Sequence, residues 1–210
     1  MFEREIARCP GKFIVTTMGS NISRFRQAID AAVRHGRRVA ILGRSIKRNL
    51  TVAQKLGYLK TPPGVFVEPK QARRLPPQNV CLLVAGSQGQ AGSAMERLSL
   101  GEHQDATVNL GDKVVFSSDY IPGTESATQA LIDALSRLGA TVIYSNITDD
   151  LHVSGHGSQQ DLLLMMALTK PKYIVPIGGT FRHMVQYSRL AQTMGYSPSQ
   201  IFLPEHSQSL

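Results

Sequence analysis

The segment Leu151-His152-Val153-Ser154-Gly155-His156-Gly157-Ser158-Gln159 sets two histidines four residues apart, with Ser and Gly between them and Gly, Ser and Gln after them. These residue types suit the holding of an anion. Glycine lets the backbone turn its N–H groups inward, serine offers a hydroxyl, and histidine hydrogen-bonds or donates a proton near neutral pH. The apolar run DLLLMMAL, residues 161–168, follows at once. The loop therefore precedes a helix, and a helix N-terminus is where a phosphate is best held. The competing reading is a tight turn whose histidines pack.

Three further turns carry polar groups at the ends of apolar runs: Gly19-Ser20-Asn21, Gly43-Arg44-Ser45 and Gly86-Ser87-Gln88-Gly89. A Gly/Ser turn at the carboxyl end of a strand is where open α/β sheets bind ligands. A plain strand-to-helix turn explains Ser87 and its neighbours equally well. Asn21 reads as a helix N-cap first and an RNA contact second. Arg44 is the best placed of these residues for a backbone phosphate, with Lys47 and Arg48 close behind it.

The charge supports a polyanionic partner. The net charge is +8, but residues 1–75 hold 16 Lys and Arg against 4 Asp and Glu, and residues 76–210 hold 7 against 11. The basic residues include Arg24, Arg26, Arg34, Arg37, Arg38, Arg44, Lys47, Arg48 and Lys55. Such a cluster is the footprint of a nucleic acid, or else a solvated face on two amphipathic helices. The only aromatic residues among these basic ones are Phe25 and Tyr58. Backbone contact is therefore expected, and base stacking is not.

The elements that must position these groups alternate along the chain. Strands are expected at 12–17, 38–42, 65–68, 80–85, 113–117, 141–144, 173–177 and 201–203, mostly apolar throughout as strands covered on both faces should be. Helices are expected at 22–35, 46–56, 93–100, 125–138, 159–168 and 181–194. In 125–138 the apolar residues Ala127, Ala130, Leu131, Ala134, Leu135 and Leu138 form a 3.6-residue stripe. Gly36, Gly57, Gly139 and Gly195 follow helix ends, where C-caps belong. The fold class is α/β, a doubly wound parallel sheet. A change of unit falls near 146–151.

No apolar run approaches the roughly 18 residues of a membrane span. The start, MFEREIARC, is too charged for a signal peptide. Cys9 and Cys81 are the only cysteines and lie far apart, which fits a reducing cytoplasm and gives neither a disulfide scaffold nor a Cys-ligated zinc site.

The order of the motifs adds a resemblance. HVSGHGSQ followed by TKPKYIVPIGGTFRHM resembles the ribonuclease J family of β-CASP metallo-β-lactamase RNA hydrolases, whose members typically read HVSGHA-Q, KPKY and PVHGEYRH. Gly19-Ser20-Asn21-Ile22, Gly43-Arg44-Ser45, Lys55-Leu56-Gly57-Tyr58-Leu59, Gly86-Ser87-Gln88-Gly89, and Ser117-Ser118 followed by Ile121-Pro122-Gly123-Thr124-Glu125 match in the same order. The resemblance implies a flavodoxin-like β-CASP domain over 1–148 and a returning C-terminal αβ segment of the metallo-β-lactamase fold over 149–210. It implies that His152 assists leaving-group protonation, and that Ser154, Gly155, His156 and Gly157 cradle a nucleotide phosphate.

The resemblance also marks departures. The family's HxHxDH motif, which supplies most metal ligands upstream, does not occur in this chain. Gly178 stands where the family has the His of PVHGE, and Thr180 replaces its Glu. His183 matches a second family His after the Arg, which does not make it a substitute ligand. Glycine cannot coordinate a metal, so no metal ligand is expected here; a zinc or manganese pair would belong to a full-length member. The expected partners are RNA, through its backbone and 5′-phosphate, and the missing lactamase half or a second copy. The function expected is part of a cytoplasmic RNA hydrolase, exonucleolytic or endonucleolytic. A non-catalytic RNA-binding or complex-forming module is the alternative, favoured by Gly178. A flavodoxin-type nucleotide-binding protein is a third reading, by analogy of fold alone.

Overall fold

A computed structural model of the chain describes residues 1–144, 157–177 and 179–204. The contacts divide it into two units, Met1–Val153 and Ser154–Leu210. The first contains a parallel sheet of β1 (Phe13–Thr16), β2 (Arg38–Leu42), β3 (Val80–Val84), β4 (Lys113–Phe116) and β5 (Thr141–Ile143), in the order β2-β3-β1-β4-β5. Register is continuous across the centre: Ile14 lies opposite Leu82 on one side and Val114 on the other.

The central strands are apolar throughout because helices cover both faces. Alternate residues enter separate cores. Phe13, Val15, Cys81 and Leu83 pack under α1 (Phe2–Ala7), α2 (Ile22–Arg34) and α3 (Arg44–Lys55). Ile14, Val80, Leu82 and Val84 pack under α4 (Pro69–Ala72), α5 (Ala94–Ser99) and α6 (Glu125–Arg137). The sheet is therefore parallel and doubly wound, as the patterning indicates.

Its strand order departs from the flavodoxin order 2-1-3-4-5, in which β1 lies between β2 and β3. Here β3 lies between β2 and β1. The β1–α2–β2 connection passes over the position of β3, and the return through α3 and α4 fills it. Buried strands read alike in sequence, so their lateral order is not visible there.

Other differences are local. Residues 65–68 join the sheet through the single bridge Val39↔Phe66 and do not form a strand. In the second unit, 173–177 and 201–203 meet only at Ile174↔Ile201; Pro176 has no N–H to extend the ladder. The helices α1 and α4 have six and four residues, too short to show a period.

Arg37 is not part of a basic surface. Its guanidinium is buried and donates to the carbonyl oxygens of Gly11 (2.7 Å), Cys9 (2.7 Å), Val80 (3.2 Å) and Ile6 (3.4 Å). It fastens the α1–β1 joint to β3. Cys81 lies beneath, and burial pushes its thiol up to about 12, which makes it inert.

The second unit is built on α7 (Gln159–Thr169) and α8 (Phe181–Thr193). Its small core is Met166, Ile174, Ala191 and Ile201. α7 is apolar around its circumference, yet only Met166 is buried on it; Leu164, Met165 and Leu168 are exposed.

Candidate nucleic-acid interface

β1 and β3 are neighbours, but the chain leaving β1 turns toward α2 and the chain leaving β3 turns toward α5, on opposite faces of the sheet. Divergence of this kind opens a crevice at the carboxyl edge, the switch point of a doubly wound sheet. A cleft of about 970 Å³ lies there, lined by the turns after β1 (17–19), β2 (43–45) and β3 (85–94).

Two glycines make the close approach of these turns possible. Gly43 has φ +140°, and a Cβ there would collide with Ala85; Gly86 has φ +111°, and a Cβ would collide with Ser93. The rim is held by backbone bonds, Ala85 N to Leu42 O at 2.8 Å and Met95 N to Ala85 O at 2.9 Å. α3 begins at Gly43, which has no side chain with which to cap it. The first N–H groups of α3 therefore stand at the cleft with the positive end of the helix dipole.

Arg44 and Arg48 lie one turn apart on α3 and line the cleft, and Arg97 enters from α5. Among the described residues, neither Arg44 nor Arg48 has a carboxylate partner. Ser87 also lines the cleft while being almost fully buried. Beside it, Gln88 is 2% exposed and fully engaged. Its Oε1 accepts from Thr124 Oγ1 (2.7 Å) and Ile121 N (2.8 Å), and its Nε2 donates to Asp119 O (3.0 Å) and Ser118 Oγ (3.4 Å). Gln88 thus ties the turn after β3 to the loop after β4.

The structure brings together Arg44, Arg48 and Ser87 of the residues expected from sequence. It directs Lys47 elsewhere: Lys47 Nζ lies 3.4 Å from Glu68 Oε1. Asn21 caps α2, its Oδ1 accepting from Arg24 N at 3.0 Å, and does not line the cleft. Gly157 is exposed just before α7. His152, Ser154, Gly155, His156 and Gly178 lie outside the described residues. His183 caps α8, its Nδ1 accepting from Thr180 N at 3.1 Å. Among the described residues no group of three His, Cys, Asp or Glu gathers in a way that could hold a metal ion. The residues described do not fit a metal centre.

Ser45, from the Gly43-Arg44-Ser45 turn, also lines the cleft; Arg97 and Ser93 complete it and are not singled out by the sequence. Arg97 carries a signal in retrospect: it is the only Lys or Arg between residues 75 and 112, one turn into the helix that follows Gly86-Ser87-Gln88-Gly89. His103 lies near it, and burial together with the Arg97 charge lowers the His103 pKa.

A parallel α/β layer with a cationic cleft at its switch point defines the doubly wound, ligand-binding class. Comparison with known proteins narrows this. Residues 10–135 match the family described as Ribonuclease J, beta-CASP domain, and residues 141–204 match the Zn-dependent metallo-hydrolase RNA specificity domain. The chain belongs to the ribonuclease J β-CASP family. It is 40% identical over 207 residues to Ribonuclease J of Mycolicibacterium smegmatis, covering 99% of this chain and 37% of that protein. It is 41% identical over 201 residues to Ribonuclease J of Synechocystis sp., covering 96% and 31%. It is 38% identical over 200 residues to Ribonuclease J 1 of Streptococcus pyogenes, covering 95% and 36%. The chain therefore spans about a third of the length of these relatives. Among the described residues no helix is long and apolar enough to cross a membrane.

Proposed function

We propose that this chain supplies the RNA-binding β-CASP layer, residues 1–148, and the returning metallo-hydrolase segment, residues 149–210, of a ribonuclease J-type RNA hydrolase of the cytoplasm acting from the 5′ end. The observation that carries this reading is the cleft with Arg44, Arg48 and Arg97 around the uncapped start of α3. Three cations and a helix N-terminus around one opening suit an RNA backbone. Relatives named Ribonuclease J, matched over nearly the whole chain, support a hydrolase module over the non-catalytic reading that Gly178 suggested. In this reading Ser154, Gly155, His156 and Gly157 hold the 5′-phosphate and His152 donates the proton to the leaving group. The zinc named for the matched specificity domain would draw its ligands from outside this chain, in the lactamase half that the reading names as partner.

The test compares the salt dependence of RNA binding among variants. Arg44→Ala and Arg48→Ala should each lower the log–log slope by about 0.7, one phosphate contact on a single strand. Lys47→Ala should leave the slope unchanged, because Glu68 already engages that lysine. Equal slopes in all three variants would reject the cleft as the RNA site.

A further inference from the structure

A second cavity, about 670 Å³, lies between α2 and α3. Its apolar wall is unlike the rest of this basic surface: Val52, Leu56 and Tyr58 are 49%, 66% and 72% exposed, and Ile22 joins them. Arg26 and Arg48 flank it, and no carboxylate lines it. Asp30, which does not line the cavity, has its Oδ2 3.8 Å from Arg26 Nε.

This groove is continuous with the cleft. Arg48 lines both. Asn49, in the groove, donates from Nδ2 to the carbonyl of Gly19, in the cleft wall, at 2.8 Å. The ridge between the two cavities is therefore fixed, with a cation on top of it.

We infer that the α2–α3 groove is a base-accepting subsite for single-stranded RNA running out of the cleft, with a nucleobase against Tyr58 and Leu56 and the adjoining phosphates on Arg48 and Arg26. This rests on the reading of the cleft as an RNA site. An aromatic ring beside arginines on a groove free of acidic side chains is the combination that single-strand binders use, and it is indifferent to base identity. Charge selects RNA over an apolar protein segment as occupant, since an uncharged peptide would cover Arg48, which has no carboxylate partner among the described residues, whereas Arg26 already has Asp30 beside it.

The experiment measures binding of the full chain to 5′-phosphorylated oligoribonucleotides of two and eight residues, and to an octamer abasic beyond its second nucleotide. Tyr58→Ala should weaken the normal octamer about tenfold, the loss expected for one stacked base. It should leave the dinucleotide and the abasic octamer unchanged. Leu56→Ser should act in the same direction, and both positions are exposed enough for the fold to tolerate the change. Arg44→Ala should weaken all three ligands. Normal octamer binding in both groove variants, with Arg44→Ala still weakening it, would overturn the groove while leaving the cleft. Loss of octamer binding in neither set would remove both. A dimer in sedimentation that Tyr58→Ala splits, with octamer affinity unchanged, would assign the groove to a second copy and overturn the inference.

Discussion

Asp161 Oδ2 accepts two hydrogen bonds from Ser158, one from its backbone N–H and one from its Oγ, each at 2.7 Å. The start of α7 is thus closed by a carboxylate belonging to the helix itself. An anion cradled by the preceding loop would share that end of the dipole with Asp161. The hydrogen bonds from Ser158 hold the Asp161 carboxyl below its ordinary value. A depressed pKa means that the cap is complete at neutral pH and is lost as pH falls through the folded value. Asp161→Asn should remove this acid sensitivity. It should also tighten a nucleoside 5′-monophosphate about threefold, because one negative charge leaves the helix start. NMR titration of the 157–161 amides checks both. Unchanged or weaker monophosphate binding in Asp161→Asn would show that no phosphate sits near this end.

Gln88 offers a sharper stability test. Replacing it by Leu keeps the volume but strands Ile121 N without its acceptor, while Thr124 Oγ1 keeps the carbonyl of Ile121. The expected loss is about 2 kcal/mol, the scale for a buried polar group deprived of its partner. Urea unfolding measures the loss. Hydrogen exchange should quicken at 118–124 and not in β1 or β3. A uniform rise across the sheet would show that Gln88 supports the whole domain rather than this loop.

The attachment of α1 should fail first in acid. Glu3 receives Arg34 and also His35 Nε2, at 3.0 Å, and the Arg34 hydrogen bond leads in lowering its pKa. Burial pushes Glu5 upward, but hydrogen bonds from Arg4 and from Lys113 Nζ, the latter at 3.0 Å, leave it below the usual glutamate range. Both contributions are present above the unfolded pKa and vanish as pH falls through the folded ones. The urea midpoint should hold from neutrality into mildly acidic pH and then drop within the carboxylate range. Pairing Glu3→Gln with Glu5→Gln should shrink that drop. A double variant with the same acid profile as the parent would show that these pairs are not the cause.

The sequence announced the layers clearly and their lateral arrangement not at all. Apolar runs such as VCLLV and KVVF declare buried strands because both faces are covered. Which of two such runs lies beside β1 depends on crossover packing, which leaves no local trace. At the site, Arg44 and Arg48 were legible because glycine, charge and helix period coincide there. Lys47 looked equivalent in the string, but its position one residue before Arg48 turns it toward Glu68. Tyr58 is one of only two aromatic residues among the basic ones, and the string alone gives no sign of base stacking. Tyr58 became meaningful only when the fold set it beside Arg26, more than thirty positions earlier.

The alternation of the two cores has a thermodynamic corollary. Cys81 and Leu82 are adjacent in the chain but belong to different hydrophobic clusters, one on each face of the sheet. Side chains that share no neighbours are energetically independent to first order. Damage to one layer should therefore sum with damage to the other, while paired changes within a layer should not. The β-sheet acts as an energetic partition, so the side that carries α3, with Arg44 and Arg48, can drift in sequence without renegotiating the packing beneath α5 and α6.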